Sequence, residues 1–285
     1  MLNIINSIKL AGKSISKELK TPSKLSLPKI KHNTTGDLVK PIDIIANNIF
    51  IKHLSQVESI AEIYSEEEEF VIKVNETNQD KSFYAVAFDP LDGSINVDTN
   101  SPTGSLFCIY DKNQVNGNGI VAAGYILYST ITQMVLAING EIKVFNLIED
   151  EFEFNSNLII PDSGSYYSHN DSNNKFISNE KNKLFLKQLS NCSNLRYSGC
   201  LVADLNLLLI KGGCFCYPGN DKNINGKIRL LYEGYPAAFI VETAGGFSRY
   251  NDTISSLLTQ PLLNIHQQSS IFLMSNWEKN LYDYL

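Results

Sequence analysis

The sequence predicts a layered protein of mixed class, α+β bordering on α/β, with a mainly antiparallel first half and a mixed second half. Three observations predict it. Leu2 to Leu19 alternates apolar residues and lysines at helical spacing. Tyr84 to Phe154 then reads as successive strands, and the remainder alternates helical and strand patterns. The chain has 285 residues, enough for one large domain or two. Its polar stretch from Asn155 to Asn174, with Pro161 and Gly164, is the best boundary, giving domains over 1–158 and 159–285.

In order, the opening helix presents Leu2, Ile5, Ile8, Ile15 and Leu19 on one face. Lys20 to Thr35 is loop-like, and Gly36-Asp37 is expected to open a second helix with Asp37 as its N-cap. Ile42, Ile45, Ile49 and Phe50 mark that helix's buried face, and Asp43 falls beside them. A strand ending at Ile63-Tyr64 leads into the acidic run Glu66-Glu67-Glu68-Glu69. The segment Phe83 to Phe88 is continuously apolar, the pattern of a strand buried on both faces. Segments Leu106 to Tyr110, Gly119 to Leu127, Ile131 to Ile138 and Glu141 to Phe145 follow as an antiparallel meander, with turn signals such as Asn139-Gly140. In the second half, Lys183 to Leu189 and Gly199 to Lys211 are helical, Cys214 to Tyr217 a strand, and a helix is expected from near Arg229 to Ala244. Ile271 to Met274 and Trp277 to Leu285 close the chain as strand and helix.

Composition excludes several function classes. A net charge of −6 gives no basic stripe for nucleic acid. No run reaches the ~18 apolar residues of a membrane span, and no secretory leader is evident, so the cytoplasm is expected. Five cysteines show no zinc pattern, and Cys214 and Cys216 share one strand face as core residues.

The chemistry centres on Asp89-Pro90-Leu91-Asp92-Gly93-Ser94. Pro90 lacks an N–H and is expected to stop the strand ladder, delivering Asp89 to its end. Gly93 and Ser94 offer backbone amides to an anion. Aspartates this close at a buried strand end are costly without a cation between them. An all-oxygen donor set suits Mg2+, with Mn2+ as substitute. On composition alone, the glutamate run reads as a solvated loop, Glu233 as a salt-bridge partner and the loop lysines as solubilising charges.

The string from Asp89 to Ser94, followed by Asn96, Asp98 and Gly104 to Tyr110, resembles the signature of class I fructose-1,6-bisphosphatases, within the metal-dependent sugar and inositol phosphatases. The resemblance runs over nearly the whole chain. It implies the sugar-phosphatase fold, with layers in the order α-β-α-β-α, a metal-site domain before a substrate-binding domain, and hydrolysis of a sugar bisphosphate at its 1-phosphate. It implies two or more Mg2+ per subunit, held by Glu66, Glu67, Asp89, the Leu91 carbonyl, Asp92 and Glu233. The register within the glutamate run comes from its spacing to Asp43. Asp43 and Glu67 match the groups that accept the proton of the attacking water, and Asp37 an aspartate of an active-site loop. Asp92, Gly93, Ser94, Asn170, Arg196, Tyr197, Tyr217, Lys222, Lys227 and Arg229 match substrate contacts. Arg196 matches an arginine that reaches a neighbouring subunit, so a homodimer or homotetramer is expected.

Three departures stand out. Asn173 occupies a family tyrosine position, Phe83 and Asp111 replace basic residues of the family's AMP site, and the threonine-rich loop before the first helix has no counterpart. AMP inhibition of the animal type is therefore not expected. Sedoheptulose 1,7-bisphosphate is the alternative substrate and a non-catalytic regulatory relative the remote alternative.

Overall fold

The computed structural model describes residues 1–21, 31–32, 38–75, 83–251 and 253–285; Asp37 lies outside them. Helices α1 (Leu2–Leu19) and α2 (Pro41–Leu54) precede eight strands. These are β1 (Ile60–Ser65), β2 (Ile72–Lys73), β3 (Tyr84–Asp92), β4 (Thr103–Asp111), β5 (Ile120–Tyr128), β6 (Thr132–Ile138), β7 (Glu141–Ile148) and β8 (Glu151–Asn157). They form one sheet in the order β8-β7-β6-β5-β4-β3-β1-β2. Every pair is antiparallel except β1 with β3. That parallel pair sets Ser65 against Phe88, so both strands deliver their acids at the same end of the sheet.

The second half comprises α3 (Glu180–Cys192), α4 (Leu201–Lys211), α5 (Tyr235–Thr243) and α6 (Asn276–Tyr284) around a smaller sheet. Its strands are β9 (Tyr166–Ser168), β10 (Asn194–Leu195), β11 (Cys214–Tyr217), β12 (Phe247–Arg249) and β13 (Ile271–Met274). They run in the order β10-β9-β11-β13-β12, parallel where β9 meets its two neighbours and antiparallel elsewhere.

The period-2 alternation of strands explains the layers. On β3, Val86 and Phe88 pack with Ile4, Ile8 and Phe50 of α1 and α2, and the Phe50 and Phe88 rings stack at 4.7 Å. Burying each ring contributes roughly 1.5–3 kcal/mol. Ala85 and Ala87 face the other way, into a core with Val202 and Leu205 of α4 and Ile240 of α5. Phe215 and Leu273 of the second sheet close that core from beyond. Cys214, Cys216, Phe272 and Met274 point outward to Phe185 of α3 and Tyr282 of α6. The order is therefore helices, sheet, helices, sheet, helices, and the two cysteines are core residues.

Two expectations need correction and a third needs detail. Helix α2 starts at Pro41 with Lys40 as N-cap, later than the expected start at Gly36-Asp37. Pro41 fits the first helical position, where an N–H would be unpaired anyway. Pro90 does not end β3. The β3–β4 register slips between Asp89 and Asp92, and the Pro90 carbonyl accepts the Ser105 hydroxyl at 2.7 Å. The helix expected from near Arg229 does start there, with Arg229 as its N-cap, but in two parts. Ile228–Arg229 pairs with Gln268–Ser269, a π-helical turn spans Leu230–Gly234, and only then does α5 begin.

Candidate active site

Oxygens of Asp89, Asp92 and Glu233 converge within 4.8 Å of one another. Asp89 sits in the slipped register of β3 and is buried, with its Oδ1 accepting the Leu91 N–H at 2.9 Å. Asp92 Oδ2 accepts the Val202 N–H at 2.7 Å and the Cys200 thiol at 3.0 Å, both from the start of α4. Glu233 is turned inward by the π-helical turn, where its Oε2 accepts the Arg229 N–H at 2.6 Å. A wider turn of this kind redirects one side chain out of the helical repeat. Glu66 joins from β1, its N–H donating to the Phe88 carbonyl at 3.1 Å.

Electrostatics register this crowding. Burial, then the charges of Glu66, Asp92, Glu233 and Glu67, hold Asp89 well above the ordinary carboxylate range. Burial raises Asp92 against the Val202 amide and the Cys200 thiol. Burial, Glu66 and Asp92 raise Glu233 against Arg229. Arg229 is buried with its Nε 3.6 Å from Glu66, which places its charge on the acid side of the site.

Asp43 enters from the first turn of α2. Its Oδ2 accepts the Lys40 N–H at 2.8 Å and the Ser94 hydroxyl at 3.3 Å, while its buried Oδ1 has no partner among the described residues. Burial pushes its carboxyl up to about 6, against the bonds from Lys40 and Ser94. Gly93 takes φ 70°, and a Cβ there would lie 2.6 Å from Cys200 Cβ, so both its conformation and its surroundings require glycine. The 3-10 helix Ser94–Thr99 follows directly.

The second half supplies the far side. Tyr197 bonds Asn170 and is raised first by burial and then by the charge of Tyr217. Asn173 Nδ2 donates to the Tyr217 hydroxyl at 3.2 Å, so these four residues form one cluster. Lys222 stands 3.9 Å from the Phe176 ring, Lys227 is exposed, and the exposed Arg196 guanidinium lies 5.0 Å over Tyr166.

Sequence reasoning missed the supports. Lys40 is buried, its Nζ donating to the Ser94 carbonyl at 3.0 Å and pairing with Asp98 at 2.8 Å. A cation at a helix N-terminus opposes the macrodipole, and that anomaly was the available signal. Ser65 donates to Asn47 Oδ1 and Asn47 donates to Glu68 Oε1, each at 2.7 Å, tying the glutamate run to α2. Asp204, at the buried face of α4, accepts the Ser198 N–H and is raised to about 7 by burial.

Fold and acid cluster together define a sugar-phosphatase class. The chain superposes on the crystal structure of Leishmania major fructose-1,6-bisphosphatase in holo form with a TM-score of 0.92 and 30% identity, covering 99% of this chain and 93% of that one. The family description "Fructose-1-6-bisphosphatase, N-terminal domain" matches residues 1–157, and the corresponding C-terminal domain matches residues 160–280. The class 1 fructose-1,6-bisphosphatase of Cytophaga hutchinsonii is 37% identical over 295 residues, spanning 95% of this chain and 84% of the relative. Fructose-1,6-bisphosphatase 1 of Rattus norvegicus is 35% identical over 299 residues, spanning 96% and 80%. The chain belongs to the fructose-1,6-bisphosphatase family.

Proposed function

We propose that this chain hydrolyses the 1-phosphate of fructose 1,6-bisphosphate, giving fructose 6-phosphate and phosphate in gluconeogenic carbohydrate metabolism in the cytoplasm. The observation that carries the reading is the convergence of Asp89, Asp92 and Glu233, drawn from both halves of the chain, within 4.8 Å. Their donors are all carboxylate oxygens, which suits a hard divalent cation. Glu66, Glu67, Asp89, the Leu91 carbonyl, Asp92 and Glu233 would hold Mg2+, two or more per subunit, with Mn2+ as substitute. Bound there, the cations supply charge to the phosphoryl oxygens and lower the pKa of water.

The chain's own residues do the rest. Gly93 and Ser94 present backbone amides to the phosphoryl group being transferred. Asp43 and Glu67 take the proton of the attacking water, and Asp43 Oδ1 has no partner among the described residues. Asn170, Arg196, Tyr197, Tyr217, Lys222 and Lys227 grip the distal phosphate and the sugar. Arg229 serves from the acid side, through Glu66 and Glu233. The exposure of Arg196 fits a contribution to a second subunit's site in a homodimer or homotetramer. Residues 1–158 would act as the metal-site domain and 159–285 as the substrate-binding domain. Among the described residues no helix is long and apolar enough to cross a membrane.

The test is phosphate release by purified protein from a panel of six- and seven-carbon sugar bisphosphates and monophosphates, with and without Mg2+. The expected result is Mg2+-dependent turnover of fructose 1,6-bisphosphate that disappears in Asp92→Ala. Unchanged turnover in that variant sinks the assignment.

A further inference from the structure

Asn96 belongs to the stretch singled out in the sequence, yet the chemistry above gives it no role. Its side-chain Nδ2 donates twice, to the Pro102 carbonyl at 2.9 Å and to the Ser198 carbonyl at 3.0 Å. The second bond crosses between the two halves. Its backbone is equally committed. The N–H donates to the Gly93 carbonyl at 2.8 Å, and the carbonyl accepts the Ser101 N–H at 2.9 Å and the Thr99 hydroxyl at 3.1 Å. The residue is therefore a fixed post rooted in the turn that carries Asp92 and Gly93.

What the post holds is the surface segment Arg196 to Gly199. Ser198 stands between Tyr197, in the cluster proposed to grip the distal phosphate, and Cys200, whose thiol touches Asp92. Asp204 accepts the Ser198 N–H with its two carboxylate oxygens at 3.2 and 3.3 Å from the opposite side. The peptide units around Ser198 are thus held from both directions, by Asn96 on the carbonyl and Asp204 on the amide.

We infer that Asn96 is a specificity-determining positioning residue. It sets the separation between the acid cluster and the Tyr197 cluster, and so lets the site select a substrate by the spacing of its two phosphates. The inference rests on the function proposed above. One amide nitrogen makes both bonds, so truncation removes them together and leaves two carbonyls short of a donor.

The test compares kcat/KM for fructose 1,6-bisphosphate and for fructose 1-phosphate in Mg2+, using the full chain, Asn96→Ala and Asp204→Asn. In Asn96→Ala the preference for the bisphosphate falls roughly tenfold or more, through KM for the bisphosphate, while turnover of the monophosphate is kept. Asp204→Asn, which keeps its shape and one acceptor oxygen, shifts the same ratio in the same direction by less. A general loss of structure lowers both activities and leaves their ratio in place. A wild-type ratio in the soluble variants therefore overturns the inference, and if Asn96→Ala does not fold, Asp204→Asn decides by the same ratio. A wild-type chain with no preference for the bisphosphate refutes the distal grip instead, and one inactive on both substrates refutes the proposed function.

Discussion

Removing metal from the acid cluster makes the most direct physical prediction. Three carboxylates whose oxygens lie within 4.8 Å of one another form three like-charge pairs, each costing about 3.5 kcal/mol at an effective dielectric of ~20. Protonating one acid relieves two of the three pairs, so an empty cluster favours a protonated carboxyl. Burial acts in the same direction, and the amides of Val202 and Arg229 act against it. Protein stripped with a chelator therefore holds protons in the cluster above the pH where ordinary carboxylates ionise, and Mg2+ binding displaces them. The sign for stability follows. Across the pH range between the ordinary and the raised pKa, the folded state binds more protons than the unfolded one. Chelated protein thus loses stability as pH rises through that window, and Mg2+ restores more stability at pH 8 than at pH 6. Titration calorimetry in two buffers of different ionisation enthalpy reads the released proton directly, and Asp89→Asn should abolish the release. Mg2+ affinity independent of pH between 6 and 8, with no proton released, refutes the reasoning.

Three further outcomes are expected. The acidic limb of kcat/KM falls near pH 6, because Asp43, the proposed proton acceptor, must be ionised and burial holds it at about 6. Asp43→Asn removes that limb with a drop of roughly 10²–10⁴ in kcat, and Lys40→Met moves the limb to higher pH by removing the adjacent cation. Gly93→Ala strains a left-handed backbone and drives a Cβ against Cys200, so urea unfolding should show a loss of about 1–3 kcal/mol together with lost turnover. In a glutamine scan of the acidic run, Glu66→Gln and Glu67→Gln weaken Mg2+ dependence and turnover, whereas Glu69→Gln leaves both intact. Loss confined to Glu68→Gln and Glu69→Gln would move the metal register by two residues.

What the sequence reveals depends on why each residue is there. Helix α1 is legible to its ends because a polar face and an apolar face alternate with one period. Strand β3 is legible from Tyr84 to Phe88 because a strand covered on both faces is continuously apolar there. The parallel pairing of β1 with β3 and the π-helical turn at Glu233 leave no periodic trace, yet they bring Glu66 and Glu233 to the aspartates. The same division runs through the site. A hard cation takes oxygen donors, carboxylates foremost among side chains, and carboxylates on apolar segments stand out. Supports are chosen by geometry, since any donor in the right place serves. The bond from Val202 to Asp92 spans 110 residues and comes from a backbone amide that every residue except proline possesses. Lys40, Asn47, Cys200 and Asp204 are of that second kind. Chemistry that restricts residue type is legible before folding, and chemistry that restricts only position becomes legible once the chain has brought its distant segments together.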